Sequence, residues 1–196
     1  MIAAGPWVVV DPGHGDAPRG ASSIGVRGPS GVHERDVVLE VAERVAAHLA
    51  LDTVLPTRVA GENPSLRERA DRARERAARV FVSLHAGGER PAPGPETWVH
   101  TAADEASRAL AREVQARLAT VPGAPTATTG AVFAGELAVL APTLHVEETA
   151  ACLVDLDALT LPEGEARLRD ARHLDDLGRA IAGGILARLP ATRRSA

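Results

Sequence analysis

The sequence predicts one α/β domain, built on a mostly parallel, twisted sheet with helices on both faces. Stretches with the pattern of buried strands alternate along the chain with stretches of helical periodicity, which is typical of parallel sheets. The length of 196 residues suits a single domain, and the sequence shows neither a repeat nor a linker that would divide it. We therefore expect one domain over residues 1–190 and a flexible tail over residues 191–196.

The first strand and the first helix have the clearest patterns. Residues 7–11 predict a buried strand, because a run of valines precedes a turn made of proline and glycines. A polar, glycine-rich loop follows over residues 13–33. Residues 36–51 predict a helix, because their apolar side chains form a single stripe: Val38, Val41, Val45 and Leu49.

Local signals mark the second strand and the second helix. Residues 53–58 predict a strand, and Pro56 within it indicates an edge or a bulge. Residues 65–78 predict a strongly charged helix. Ser65 is a natural N-cap for this helix, and Glu68 three residues later completes a capping box.

The middle of the chain repeats the same alternation. Residues 79–84 predict the third strand, which ends next to His85. Residues 97–100 predict another short strand after a loop rich in proline and glycine, and residues 103–118 predict a helix.

The last part of the chain combines an apolar segment with a helical end. Residues 137–147 predict one or two strands interrupted by Pro142. Residues 163–189 predict helix with a break near His173.

The composition excludes several classes of partner. Aromatic residues are scarce and the net charge is −4, which argues against nucleic acid as a partner. No run approaches the roughly 20 apolar residues of a transmembrane helix, so we expect no membrane insertion. Residues 1–6 lack the basic start of a secretion signal, so we expect a cytoplasmic chain. The composition leaves the oligomeric state open.

A histidine, a glutamate and a second histidine stand where a parallel sheet gathers its ligands. His14 follows the first strand, Glu34 precedes the first helix and His85 follows the third strand. Such positions share one edge of the sheet, and two imidazoles with one carboxylate are a common catalytic zinc set. Taken singly, the histidines could be surface residues, and Glu34 could be a favourable carboxylate near a helix N-terminus.

Six segments, in order, resemble the motifs of one hydrolase family. They are VVDPGHG (residues 9–15), GPSGVHERDV (28–37), TR (57–58) with SLRER (65–69), VSLHA (82–86), GPETW (94–98) and PTLHVE (142–147). With these, the chain resembles the zinc-dependent N-acetylmuramoyl-L-alanine amidases of the amidase-3 type, which act on cell walls. The resemblance covers about residues 7–186 and implies the phosphorylase/hydrolase-like architecture of that family.

The resemblance implies a site with one Zn²⁺ ion. Its ligands would be His14, Glu34 and His85, and Glu147 would be the catalytic base that takes a proton from water. Glu148 is a rival for that role. The family follows its catalytic glutamate with a Gly-Phe pair and a nearby Asn, whereas residues 148–152 here are ETAAC.

Other polar residues are weaker candidates for the site. Arg58 could bind a substrate carboxylate, and His145 shares a strand face with Glu147 in the predicted register. Asp11 could bond a ligand imidazole, or it could cap the Pro-Gly turn. Cys152 has no evident histidine partner, which argues against a cysteine nucleophile.

The expected reaction is therefore zinc-dependent amide hydrolysis. The substrate that the resemblance implies is the N-acetylmuramoyl–L-alanine bond of peptidoglycan or of muropeptides. One alternative is a cytoplasmic zinc amidase or peptidase that acts on a small peptide-like or glycoside-like metabolite. Another is a catalytically inactive amidase fold that serves as a binding module.

Overall fold

The computed structural model describes residues 7–16, 24–87, 93–125 and 131–189. The predicted tail over residues 191–196 lies outside these ranges. Six strands form one sheet: β1 (Val8–Pro12), β2 (Val54–Pro56), β3 (Val80–His85), β4 (Glu96–His100), β5 (Val132–Gly135) and β6 (Ala150–Asp155). Five α-helices accompany them: α1 (Glu34–Leu49), α2 (Leu66–Glu75), α3 (Glu105–Leu118), α4 (Pro162–Leu168) and α5 (Ala171–Leu186). This is the predicted single-domain α/β fold.

The strands lie in the order β2-β1-β3-β6-β4-β5. The first four of these run parallel to one another, and β4 pairs antiparallel with β6. The carboxyl ends of β1, β3 and β6 therefore share one edge of the sheet, which we call the C-edge. Because β4 runs the other way, it begins at the C-edge instead of ending there.

The two faces of the sheet are covered differently. One face packs against α1, α3 and α5, and the valine and leucine stripe predicted for α1 is buried there: Val38, Val41, Val45 and Leu49. The helices of this layer approach closely at two glycines of α5. A Cβ at Gly178 would lie 2.7 Å from the Cβ of Arg44, and one at Gly184 would lie 2.7 Å from the Cα of Val114. The other face packs against α2 and the turns after β5.

One of the expected elements is wrong. The segment over residues 137–147 contains no strand, and it forms two 3₁₀ turns, Ala138–Leu140 and Pro142–Leu144. Pro142 opens the second turn, where its fixed φ and missing N–H do no harm. The strand that fills the centre of the sheet is β6, a continuous apolar run that begins only at Ala150. The break in the last helix falls at Arg169 and Asp170, slightly earlier than expected.

The predicted start of α2 is confirmed. The Ser65 side chain accepts a hydrogen bond from the Glu68 N–H, and the Glu68 side chain accepts one from the Ser65 N–H. Among the described residues, no helix is both long enough and apolar enough to cross a membrane.

Candidate metal centre

Three side chains converge at the C-edge. His14 lies in the turn after β1 with φ of 59°, Glu34 is the first residue of α1, and His85 ends β3. Glu34 Oε1 lies 3.2 Å from His14 Nε2 and 3.1 Å from His85 Nδ1. One donor atom from each of the three residues falls within 4.8 Å of the others. The structure thus brings together the three predicted ligands.

The Glu34 carboxylate is the electrostatic centre of this group. It is only 2% exposed, and it also accepts hydrogen bonds from the N–H groups of Ala86 and Val26, each 2.9 Å long. Burial would raise the pKa of Glu34, but the hydrogen bonds from His14 and His85 outweigh burial and hold this pKa well below its usual range. Burial would lower the pKa of His85, and the contact with Glu34 raises it instead. Glu34 is therefore an anion that attracts positive charge to the space between the rings.

The donor set fits a zinc ion. Zinc prefers imidazole nitrogen and carboxylate oxygen, and catalytic sites use three protein ligands and leave a fourth position for water. The rings of His14 and His85 meet edge to face with their centroids 4.9 Å apart, so their nitrogens can approach a common point. The N–H groups that bond Glu34 would also orient this carboxylate as a ligand.

Two buried arginines hold the turn that carries His14. Arg58 donates to the carbonyl oxygens of Pro12 at 2.8 Å and Gly13 at 3.0 Å, and Arg69 donates to those of Pro12 and His14. Arg58 is only 2% exposed, and it also donates to the carbonyl oxygen of Arg35. The expected contact between Arg58 and a substrate carboxylate is therefore wrong, since this guanidinium is buried against backbone oxygens.

Asp11 has neither of its two expected roles. It accepts hydrogen bonds from Thr57, from Ser83 at 2.7 Å and from Arg69 at 2.7 Å. Burial would raise the pKa of Asp11, but the Arg69 charge and these hydrogen bonds lower it. Asp11 and Arg69 thus form a buried ion pair beneath the His14 turn.

We expect Arg69→Ala to destabilise the fold strongly. The variant leaves the Asp11 carboxylate buried without its counter-charge, which typically costs about 3–5 kcal/mol of unfolding free energy. Arg67 on the same helix is a matched control, because its side chain is 68% exposed and pairs with Asp71 at the surface. Arg67→Ala should change stability by less than about 1 kcal/mol. Urea unfolding of both variants tests this, and equal midpoints would contradict it.

An acidic residue outside this group, Asp155, lies beside the three candidate ligands. It ends β6, where the strand register pairs it with His85 on one side and Glu96 on the other. Its Oδ1 accepts a hydrogen bond from the Gly87 N–H at 2.5 Å. Gly87 leaves room for this contact, because a Cβ there would collide with the Asp155 carboxylate.

The pKa of Asp155 is raised above its ordinary value. Burial raises its pKa to about 6; the Glu34 and Glu96 charges act in the same direction, whereas the Gly87 N–H and the His85 charge oppose it. Sequence reasoning missed this residue. The signal was present, because the apolar run before Asp155 ends in a polar residue at the C-edge, as the runs before Asp11 and His85 do.

The expected placement of Glu147 is wrong. Glu147 lies three residues before β6 begins, at the edge opposite the candidate ligands. The neighbouring Thr149 side chain bonds the carbonyl oxygen of Ala78, which precedes β3. The five-residue rise from Val80 to His85 separates the two edges by about 16 Å. Glu147 and its rival Glu148 therefore cannot contact a water held by these ligands.

His145 does not reach the candidate ligands either. Its ring packs on Phe81 at a centroid distance of 4.8 Å, and its Nε2 bonds the carbonyl oxygen of Val139 at 2.8 Å. Burial lowers the pKa of this imidazole. His145 thus fastens the two 3₁₀ turns against the sheet. Cys152 is buried inside β6, where burial raises the pKa of its thiol to about 12.

A small hollow opens beside the candidate ligands, toward α2. Its volume is about 240 Å³, and we call it the α2 hollow. His14 and His85 border it on the side of the sheet, and the other walls come from the start of α2 and the first 3₁₀ turn: Asn63, Pro64, Ser65, Leu66 and Val139. A larger hollow, of about 450 Å³, contains Glu147 and lies at the opposite edge.

Comparison with known proteins gives one consistent family. Residues 8–187 match the family model described as N-acetylmuramoyl-L-alanine amidase, Amidase_3. The chain is 29% identical over 188 residues to the N-acetylmuramoyl-L-alanine amidase LytC of Bacillus subtilis, covering 93% of this chain and 35% of that protein. It therefore spans about a third of the length of this relative.

Solved structures agree with this match. The N-acetylmuramoyl-L-alanine amidase of Clostridium difficile 630 superposes with a TM-score of 0.82 and 26% identity, over 93% of this chain and 96% of that one. The amidase AmiC2 of Nostoc punctiforme superposes with a TM-score of 0.77 and 29% identity, over the same shares of the two chains.

Proposed function

Because the chain belongs to the N-acetylmuramoyl-L-alanine amidase family, we propose that it hydrolyses the amide bond between N-acetylmuramic acid and L-alanine in peptidoglycan or its fragments. The observation that carries this proposal is the convergence of His14, Glu34 and His85 at the C-edge, next to Asp155. Two imidazoles and a carboxylate are suited to a hydrolytic metal, and a nearby acid of raised pKa is suited to proton transfer.

We infer that His14, Glu34 and His85 hold one zinc ion. When bound, zinc supplies a Lewis acid that polarises an amide carbonyl and makes its own water more acidic. Glu34 contributes negative charge, and its hydrogen bonds from Ala86 and Val26 keep it from moving. Arg58 and Arg69 hold the backbone of the turn that positions His14.

We infer that Asp155 is the general base and then the general acid. Its register partner His85 is on the adjacent strand, about 4.8 Å away in the backbone. In the carboxylate form, Asp155 would accept a proton from the attacking water. It would then return this proton to the amide nitrogen, because an amine leaves only after protonation. The hydrogen bond from Gly87 keeps Asp155 in place for both transfers.

Hydrolysis of muropeptides tests this proposal. Purified zinc-loaded protein should convert N-acetylmuramoyl-L-alanyl-D-isoglutamine to N-acetylmuramic acid and a dipeptide that begins with L-alanine, as read by mass spectrometry. Removal of the metal by EDTA should stop the reaction, and added zinc should restore it. Hydrolysis that persists without metal would contradict the zinc assignment. If the protein hydrolysed a panel of simple amides but no muropeptide, the proposed substrate would be contradicted.

A further inference from the structure

A short hairpin carries Glu34 into the candidate metal centre. It covers residues 25–34, and we call it the Glu34 hairpin. Its two arms pair at a bridge between Arg27 and His33. Nearer the centre, the Glu34 N–H donates to the carbonyl oxygen of Val26 at 3.0 Å, and the Val26 N–H donates to Glu34 Oε2 at 2.9 Å. The hairpin therefore holds both the main chain and the carboxylate of Glu34.

The base of the hairpin packs directly on two of the candidate ligands. Gly25 has φ of 74°, and a Cβ there would collide with Glu34 Oε2 and lie 2.8 Å from Cδ2 of His14. Only glycine leaves this space and also adopts this φ at little cost. A shift of the hairpin would therefore move the Glu34 carboxylate or open a gap beside His14.

The tip of the hairpin is held by a carboxylate from a distant part of the chain. Glu165, in the first turn of α4, is only 5% exposed. The Ser30 N–H donates to it at 2.9 Å, and the Ser30 hydroxyl donates to it at 2.7 Å. Gly28 permits this approach, because a Cβ there would collide with the Glu165 carboxylate. Burial would raise the pKa of Glu165, but the hydrogen bonds from Ser30 lower it, so the acceptor is an anion and its hydrogen bonds are strong.

Helix α4 is itself fixed to the end of β6. Arg167 donates two hydrogen bonds, of 2.7 and 3.1 Å, to the buried carboxylate of Asp157, two residues beyond the end of β6. Gly164 packs on the carbonyl oxygen of Ala158, with which a Cβ would collide. The contact between Glu165 and Ser30 therefore joins the hairpin to the strand that ends in Asp155.

We propose that Glu165 is a positioning residue for Glu34. This inference rests on the proposed function, because it takes Glu34 as a zinc ligand. Glu165 fixes the tip of the hairpin through Ser30, and the hydrogen bonds within the hairpin carry this restraint to Val26 at its base. Glu34 then presents its carboxylate already ordered, which reduces the loss of conformational freedom when a ligand binds.

Zinc affinity tests this inference without any measurement of hydrolysis. In calorimetric titration of EDTA-treated protein, Glu165→Ala should bind zinc about tenfold more weakly, at the lower end of the effects seen for residues that orient metal ligands. Ser30→Ala keeps the Glu165 charge and loses one of the two hydrogen bonds, so its loss of affinity should be smaller. The double variant should bind no more weakly than Glu165→Ala alone, because both changes act through one contact.

Glu163→Ala is the matched control for these variants. It removes an exposed carboxylate from the same first turn of α4, so it reproduces the change in charge without touching the hairpin contact. This variant should bind zinc like the wild type. An equal loss of affinity in Glu163→Ala and Glu165→Ala would overturn the inference, because the effect would then come from charge alone.

Amide hydrogen exchange of the metal-free protein gives a second readout that does not depend on zinc. The Val26 N–H, which bonds Glu34, should exchange about tenfold faster in Glu165→Ala than in the wild type. The amide of Val82, buried in β3, should be affected much less. An equal acceleration at Val26 and Val82 would overturn the inference, because Glu165 would then only stabilise the fold as a whole.

The two readouts separate failure of this inference from failure of the proposed function. If the wild type bound no zinc but Glu165→Ala selectively freed the Val26 amide, the metal centre would be wrong and the positioning of Glu34 by Glu165 would stand. If the wild type bound zinc and Glu165→Ala bound it equally well, the metal centre would stand and the positioning role would be wrong.

Discussion

Replacement of Asp155 by asparagine is expected to lower kcat by about 10²–10⁴-fold, the usual contribution of a general acid–base group. Asparagine keeps the shape of the side chain, and its oxygen can still accept the hydrogen bond from Gly87, but it cannot take up a proton. The zinc content should stay that of the wild type, because Asp155 is outside the group of candidate ligands. Steady-state hydrolysis of a muropeptide, with metal analysis of the same samples, gives both readouts.

Glu147→Gln is the matched control for this variant. Glu147 lies at the opposite edge of the sheet, so its replacement should leave kcat unchanged. The pH profile adds a readout that a structural role would not change. The base works as a carboxylate, so kcat/KM should fall as the pH drops through the pKa of Asp155. The acid limb should lie at or below about pH 6, since a bound cation favours the carboxylate form. Wild-type activity in Asp155→Asn, or loss of activity in Glu147→Gln, would contradict the assignment.

Replacement of Glu34 by glutamine is expected to abolish both zinc binding and activity. Glutamine removes the negative charge to which His14 and His85 both bond. Loss of residues that only orient metal ligands already weakens metal affinity about 10–100-fold, so loss of a charged ligand should exceed about a hundredfold. Calorimetric titration of zinc into EDTA-treated protein measures the affinity directly.

Glu40→Gln is the control on the same helix. Glu40 pairs with Arg44 on the surface of α1 and has no contact with the candidate ligands. This variant should bind zinc like the wild type and keep full activity. Should Glu34→Gln retain wild-type zinc affinity, Glu34 would have to be removed from the ligand set. Melting curves of the two metal-free variants show whether any loss of zinc affinity or activity reflects unfolding.

The fold could be predicted because its signals are local. The apolar stripe of α1, the capping box of α2 and the apolar runs of β1 and β3 depend on residues close in sequence. The ligands could be predicted from the same local patterns, since each of them is next to the end of such an element. The position of His14 at the end of a valine strand, for example, already places it at the C-edge.

The error over Glu147 has a physical cause. The segment before it is as apolar as a strand, but it uses this apolar surface to cover the face of the sheet near α2. Period-two patterns do not distinguish a strand within the sheet from turns that pack on it. The correct partner of β3 was settled by pairing between residues far apart in sequence, which places Asp155, and not Glu147, beside His85.

The roles of the buried arginines could not be predicted for a related reason. In sequence, Arg58 resembles any arginine at a strand end, and its burial depends on the backbone of the His14 turn folding over it. This burial has no local signature in the sequence.

The reversed direction of β4 bears on how this scaffold can be altered. Because β4 starts at the C-edge, the chain leaves the sheet at His85 and enters it again at Glu96 at that same edge, so β3 and β4 need no crossover that spans the sheet. A designer could lengthen or graft this connection and leave all five helices in place. The link between β1 and α1 offers less freedom, because it carries His14 and leads directly into Glu34, the first residue of α1. Insertions in this connection would leave His14, Glu34 and His85 in the chain unchanged, because none of the three candidate ligands lies within it.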